Sequence, residues 1–534
     1  MPQTELIQAM RTPGFYPHPA ETVDFIQTHI SSLFLVGDHV YKLKKPLDLG
    51  FLDFSSLDKR RFYCREEVRL NSRLAPSVYL QVLPVSQDLQ GGFVLGQSQQ
   101  GQVVDYVVHM RRLSEDFMFP ALLSKGLVNL ELLQELAGIL AKFHARATPV
   151  DADSDLGSPS LVRSNIQENF EQTRILAGTA LSQKRFQMFE QVMFWILHRR
   201  HHLLHSRHVQ GKTRECHGDL RMEHICMFNN QLVVFDCIEF NERFRFIDTA
   251  ADLAFLLMDM EYSGHWQEAQ HLLTAYTRAS DDEDIMSVIN LYKAYYAQTR
   301  GKVAGIQSME EEFSETDRQE ALNRATAFLD LAWSYAIKLT SPTLIVTCGL
   351  MGTGKSEVGR HLQVALGAEL IQSDALRKSI HGFDPSSKHE EAFGQGLYSR
   401  AATQATYQAL LDQARSRLQD HASVILDASF SRREDRGRVM SLAHALNLRC
   451  VLVQCLCPEK VVKKRLSKRH RDVSDGRWDL FAQQKAGFEP VTELGPTHHV
   501  QVDTSGDLPE VQEESVHAVL RALQAQEGLF RDRS

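Results

Sequence analysis

Leu344-Ile345-Val346-Thr347-Cys348-Gly349-Leu350-Met351-Gly352-Thr353-Gly354-Lys355-Ser356 decides the fold of the C-terminal part of this chain. An apolar strand runs directly into G-x-x-x-x-G-K-S, and a helical pattern follows to Leu366. Glycines let the backbone of Gly349 to Ser356 curl so that its N–H groups converge on the phosphates of a nucleotide, Lys355 adds a point charge, and the Ser356 hydroxyl suits Mg²⁺. The helix that follows directs its positive end at the same phosphates. ATP and Mg²⁺ are therefore the expected ligands.

Beyond the loop, strands alternate with helices. Strands are expected at 344–348, 368–372, 423–426 and 449–455, with helices between them and near 459–469 and 478–485. This is the pattern of a three-layer α/β domain with a mostly parallel sheet. Ser341-Pro342 breaks the preceding helix, so domains are expected at 1–340 and 341–534.

The 534 residues exceed one hydrophobic core, and an apolar fraction of 43% supplies several. A net charge of −8 spread along the chain argues against bulk attraction to nucleic acid, while leaving room for a local basic groove. Eight cysteines without a CxxC pair read as buried thiols of a reducing compartment. The first residues lack the pattern of a secretion signal, and no apolar run reaches about eighteen residues. A cytoplasmic protein without a membrane segment is expected.

The first 110 residues carry strand signals: Leu33 to Val36, a Gly37-Asp38 turn and Val40 to Lys44 read as a hairpin, with further strands at Val78, Gly92 and Val103. With a helix from about Asp58 to Leu74, they predict a small mixed sheet, and a helical lobe over 111–340. Long helices are expected at Leu130 to His144 and Ile166 to Leu204. A β-rich island at Cys216 to Phe240 interrupts them. It holds His217-Gly218-Asp219-Leu220-Arg221-Met222-Glu223-His224, and seventeen residues after Asp219 comes Asp236, ending the strand Leu232 to Phe235. Phosphoryl transfer needs such a pair: one carboxylate orients the attacking hydroxyl, the other holds Mg²⁺ against the nucleotide.

On His217-Gly218-Asp219-Leu220, Asp236 and Asp248-Thr249-Ala250-Ala251-Asp252, residues 20–335 resemble the aminoglycoside phosphotransferase family, whose fold is similar to protein kinases. The resemblance implies that Asp219 is the catalytic base, Asp236 a metal ligand and Lys42 the nucleotide-binding lysine, with Lys44 on the same strand face as the alternative. It implies Glu66 or Glu67 as the helix partner and Tyr106 to Met110 as the hinge between lobes. Two departures stand out: His224 stands where the family carries an Asn as an oxygen ligand of Mg²⁺, for which imidazole is a poor replacement, and no G-x-G-x-x-G loop precedes the lysine strand.

In the C-terminal part, Asp374 at a strand end is placed to accept a proton from a substrate hydroxyl, with Arg377 one turn later to hold an anion. An Asp N-cap with a solvent-facing Arg is the competing reading. Asp427 stands where a Walker B carboxylate would. Arg432 and Arg436 are candidate clamps on substrate, set against a solvated helix face. Lys463 to Arg471 places six cations in nine positions, read as a lid over ATP with Arg465 and Arg469 on one face, or as a nucleic-acid patch. Residues 342–505 are similar to the small P-loop kinases grouped with gluconate kinase, zeta toxin and polynucleotide kinase. That resemblance implies Asp374 as base and Arg377 as substrate holder.

The chain is thus expected to be an ATP-dependent kinase with two nucleotide sites and small-molecule hydroxyl acceptors. Two other readings are a nucleotide-sensing N-terminal half controlling the P-loop kinase, and a P-loop half acting on nucleic-acid 5′ ends.

Overall fold

The computed structural model describes residues 3–96, 101–338, 341–384, 396, 399–467 and 478–527. By its internal contacts the chain divides into two compact units, one of Met1–Gln183 with Ile196–Ala332, the other of Lys184–Trp195 with Trp333–Ser534.

In the first unit, β1 (Asp24–Gln27), β2 (Ser31–Val36), β3 (His39–Lys44), β4 (Tyr79–Gln87), β5 (Phe93–Leu95) and β6 (Gln102–Arg111) form a sheet in the order β1-β2-β3-β6-β4-β5. Every pairing in it is antiparallel, so the mixed sheet expected from the sequence is corrected. Side chains alternate across a strand. Tyr41 and Leu43 of β3 therefore join Phe34, Val85 and Val107 beneath the N-terminal helix. Val40, Lys42 and Lys44 face the other way, toward the helix Leu57–Asn71, which a Ser56 hydroxyl caps by accepting the Lys59 N–H.

The helical part follows. Its expected long segment beginning at Ile166 is broken in two: the helix Pro159–Thr173 ends in a turn at Arg174–Leu176, and a new helix runs from Gln183 to Val209. Gly178, at φ +97°, supplies the reversal between them. β7 (Thr213–Glu215) leads into the H-G-D loop. β8 (Ile225–Phe228) and β9 (Gln231–Val234) form a hairpin, and β10 (Phe246–Asp248) pairs with β7. Asn229 and Asn230 both take positive φ, the conformation of a two-residue turn whose twist matches its strands.

The second unit contains a five-stranded parallel sheet, β11 (Thr343–Cys348), β12 (Glu369–Gln372), β13 (Val424–Asp427), β14 (Arg449–Leu456) and β15 (His499–Asp503), ordered β12-β13-β11-β14-β15. All six residues of β11 are buried, as in a central strand covered on both faces. Leu344, Val346 and Cys348 pack with Leu426 and Leu452 under the helices Arg400–Gln419 and Arg433–Ala445. Thr347 and Asp427 face the opposite side, against Gly359 of the helix Lys355–Leu366. The layers are the ones expected, an α+β unit and a three-layer α/β unit with a parallel sheet. β15 and the final helix Leu508–Gln526 are additions to it. Among the described residues, no helix is long and apolar enough to cross a membrane.

Candidate active sites in the two units

The first site forms where β3, the helix Leu57–Asn71 and the loop after β9 converge. Lys42 Nζ lies 2.8 Å from Glu67 Oε1 and 2.9 Å from Asp236 Oδ1. Of the two glutamates open from the sequence, Glu67 makes this contact, while Glu66 pairs with Arg69. Lys44, two residues from Lys42 and on the same face, sits 2.6 Å from Glu67 Oε2 and also pairs with the buried Glu239. It is fully buried, whereas 13% of the Lys42 side chain is exposed.

Burial disfavours charge on Asp236, but Lys42 and then His224 override it and hold the carboxyl well below the usual range. Glu67 behaves alike: burial opposes ionisation, and Lys42 and Lys44 outweigh it. Asp236 itself sits at φ +65°, its N–H donating to the Tyr79 hydroxyl at 3.3 Å. With 42% of its side chain exposed, it is open to a ligand.

Asp252 holds the loop that carries Asp219. Its two oxygens accept the N–H groups of His217 and Gly218, each at 2.9 Å. His144 Nε2 lies 3.1 Å from the same carboxylate, and its Nδ1 is 2.7 Å from the Tyr276 hydroxyl. His144, Cys216 and Asp252 come together closely enough to suggest a metal centre. Burial, however, pushes the Cys216 thiol far up, and both Asp252 oxygens are already engaged, so the cluster is a loop anchor. Gly218 is required here, because at φ +84° a Cβ would lie 2.8 Å from the Phe244 carbonyl. Burial also lowers the His217 imidazole to about 4. Its neutral ring takes the Asp219 N–H at Nδ1 and meets the Phe235 carbonyl at Nε2.

Asp219 is gripped by Arg221, Nε to Oδ1 at 2.8 Å and Nη2 to Oδ2 at 3.0 Å. Sequence reasoning passed over Arg221, although an Arg two residues beyond the Asp was legible. His224 Nδ1 lies 2.8 Å from the Asp219 carbonyl. Tyr106 to Met110 do not form the expected hinge: they lie inside β6, paired with β3 on one side and β4 on the other, because Val107 and Val108 are core residues.

In the second unit the P-loop joins β11 to the helix Lys355–Leu366. Gly349, at φ +136°, brings its backbone so near the Cys455 carbonyl that a Cβ would lie 2.6 Å away, and Gly354 starts the helix Lys355–Leu366 at φ +87°. Thr353 Oγ1 and Lys355 Nζ each donate to the Leu350 carbonyl at 2.8 Å. The Met351 N–H donates to Gln484 Oε1 at 2.7 Å. A cavity of about 640 Å³ opens beside Gly352, Gly354 and Ser356, with Lys464, Arg465 and Thr504 on its far wall.

Asp427 is 5% exposed and accepts from Thr347 Oγ1 at 2.8 Å and Gln372 Nε2 at 3.2 Å. Neither partner was singled out in the sequence, although a threonine inside an apolar strand is a visible signal. Arg377 Nη1 donates to Asp374 Oδ1 at 2.8 Å within the helix Ser373–Ile380. Arg465 Nη2 donates to the Thr504 carbonyl at 2.6 Å, while Arg469 lies outside the described residues.

Arg436 departs from its expected role. It is fully buried, pairs with Glu493 at 2.6 Å and donates to the carbonyls of Phe430, Glu489 and Pro490. Arg432, at the N-cap of the helix Arg433–Ala445, is exposed, so the two arginines do not form one clamp. One helical turn separates them, and that turn carries the chain from solvent into the core.

The chain is similar to uncharacterized proteins of Mycobacterium tuberculosis and Mycobacterium bovis, each 29% identical over 492 residues covering 92% of this chain and 94% of the relative. Among solved structures it is similar to a gluconokinase from Sinorhizobium meliloti 1021, at 23% identity and a TM-score of 0.26, covering 35% of this chain and 97% of that one. It is also similar to the GDP complex of aminoglycoside 2'-phosphotransferase-IIIa, at 14% identity and a TM-score of 0.38, covering 61% and 99%. Residues 344–491 match the family model described as an AAA domain.

Proposed function

We propose that the protein is an ATP-dependent phosphotransferase with two nucleotide sites, each acting on the hydroxyl of a small-molecule acceptor. The observation that carries the reading is Lys42, bonded at once to Glu67 and Asp236, which brings three distant segments into a phosphate-binding arrangement in a chain that also carries a P-loop. In the first unit, Lys42 binds the nucleotide phosphates and Asp219 accepts the acceptor's hydroxyl proton. The acceptor oxygen bonds to the γ-phosphorus as the bond to the β-phosphate oxygen breaks, and ADP leaves.

In the second unit Asp374 takes the proton, Arg377 holds the acceptor, and Lys355 with the Gly349 to Ser356 backbone cradles the phosphates. Arg465 lines the cavity beside Gly352, Gly354 and Ser356, where a cation stabilises the charge that develops on transfer. The hydroxyl of Ser356 and the carboxylate of Asp427 are hard oxygen donors that fit Mg²⁺, which when bound neutralises phosphate charge.

A second reading makes the first unit a nucleotide sensor. It is favoured by Arg221, which occupies both oxygens of Asp219. Lys355→Ala and Asp219→Ala variants separate the two when ATP consumption and phosphorylated products are measured against sugars, aminoglycosides and oligonucleotides. Each substitution is expected to abolish transfer to one acceptor class and spare the other. Loss of all transfer in Lys355→Ala, with only nucleotide affinity altered in Asp219→Ala, would leave the sensor reading standing. Transfer confined to oligonucleotides would replace the small-molecule acceptor.

A further inference from the structure

His224 and Asp236 face each other across a gap that no hydrogen bond spans. His224 Nε2 lies 3.7 Å from Asp236 Oδ2, beyond hydrogen-bonding range. The two groups are held there from behind. Asp236 Oδ1 is taken by Lys42, which leaves Oδ2 toward the ring. His224 Nδ1 lies 2.8 Å from the Asp219 carbonyl, an atom that only accepts, so Nδ1 carries the proton. In the neutral ring the Nε2 lone pair is therefore directed at a carboxylate oxygen. Two acceptors so placed repel unless a positive charge, either a second ring proton or a metal ion, lies between them. Metal-ligating histidines are held in this same way, the distal ring N–H fixed by a carbonyl. Two metal–ligand bonds of about 2.1 Å would span the gap at an angle of about 120°.

We infer that His224 Nε2 and Asp236 Oδ2 ligate one divalent ion of the first transition row, in preference to Mg²⁺, beside the nucleotide of the first unit. This rests on reading Lys42, Glu67 and Asp236 as a nucleotide site. Mg²⁺ favours an all-oxygen shell, whereas imidazole binds transition ions increasingly well from Mn²⁺ onward. The two metal positions of this chain then differ in chemistry: Ser356 and Asp427 offer only oxygen, and the first unit offers nitrogen and oxygen. Glu223 Oε1, 3.9 Å from His224 Nε2, lies on the exposed side, and its carboxylate pairs with Arg221.

The test uses metal-free full-length protein with a non-hydrolysable ATP analogue and Mn²⁺ as the probe. Pulsed electron paramagnetic resonance is expected to show an imidazole nitrogen coupled directly to Mn²⁺. Competition should show Mn²⁺ bound at least about tenfold tighter than Mg²⁺ at this site. His224→Asn is expected to lose the nitrogen coupling and that preference while still binding the analogue. Identical spectra and identical Mg²⁺ competition in the two proteins would overturn the inference. Analogue stoichiometry in Lys42→Ala distinguishes the two levels. If it equals that of the wild type, the nucleotide site itself falls and the metal with it. If it drops by one equivalent while wild-type Mn²⁺ shows no nitrogen, only the metal inference fails.

Discussion

Asp252→Asn tests the anchor of the H-G-D loop. The wild-type carboxylate is 1% exposed and accepts two backbone N–H groups at 2.9 Å, with His144 as a third partner at 3.1 Å. An amide keeps one oxygen and replaces the other with a donor. One of the His217 and Gly218 N–H groups must then face an NH₂ group in a buried site. Losing one charge-assisted bond and burying a mismatched donor costs about 2–4 kcal/mol. Every 1.4 kcal/mol is tenfold, so local opening of the loop should become roughly 30- to 700-fold more frequent.

Amide hydrogen exchange followed by mass spectrometry on peptides spanning Cys216 to Leu220 reads this directly, and the P-loop peptides serve as the internal control. Exchange at His217 and Gly218 should accelerate by that factor while peptides around Gly349 to Ser356 stay unchanged. Acceleration of less than about threefold would refute the argument, since it would mean that the loop is held by other contacts and that Asp252 is dispensable.

Arg436→Met should destabilise the second unit by about 3–5 kcal/mol in urea denaturation, because Glu493 and three carbonyls lose a buried cation. A variant of normal stability with a raised acceptor KM would restore the clamp reading. The same pair makes a pH prediction. Burial opposes ionisation of Glu493, but Arg436 prevails and lowers its carboxyl to about 2. The folded pKa lies below the unfolded value, so the pair's stabilisation is complete above about pH 4.5 and fades as pH falls toward 2. The stability gap between wild type and Glu493→Gln should therefore be constant at neutral pH and close across that acid window. A gap that persists unchanged to pH 2 would contradict it.

Much of the two sites was legible because their chemistry is local. Gly349 to Ser356 and His217 to Asp219 are short loops whose backbone demands fix residue types at fixed spacing, and the β2–β3 hairpin is set by Gly37-Asp38 between two apolar runs. β15 escaped notice because it is an edge strand: only Val502 of His499–Asp503 is buried, so neither alternation nor an apolar run marks it. With it went Thr504, whose carbonyl receives Arg465 and whose side chain borders the cavity.

The amino-acid sequence by itself determined the glycine loop at Gly349 to Ser356 and which loop carries Asp219, since both follow from the dihedral freedom of glycine and the reach of neighbouring side chains. Only the tertiary structure decided which of two lysines and two glutamates pair in the first site. Lys42 and Lys44 share one strand face, and what separates them is depth: Lys44 is enclosed between Glu67 and Glu239, while Lys42 meets Asp236 from a segment 194 residues away. Burial likewise separated Arg436 from Arg432. Depth below the surface is a property of the packed core as a whole, which no local spacing encodes.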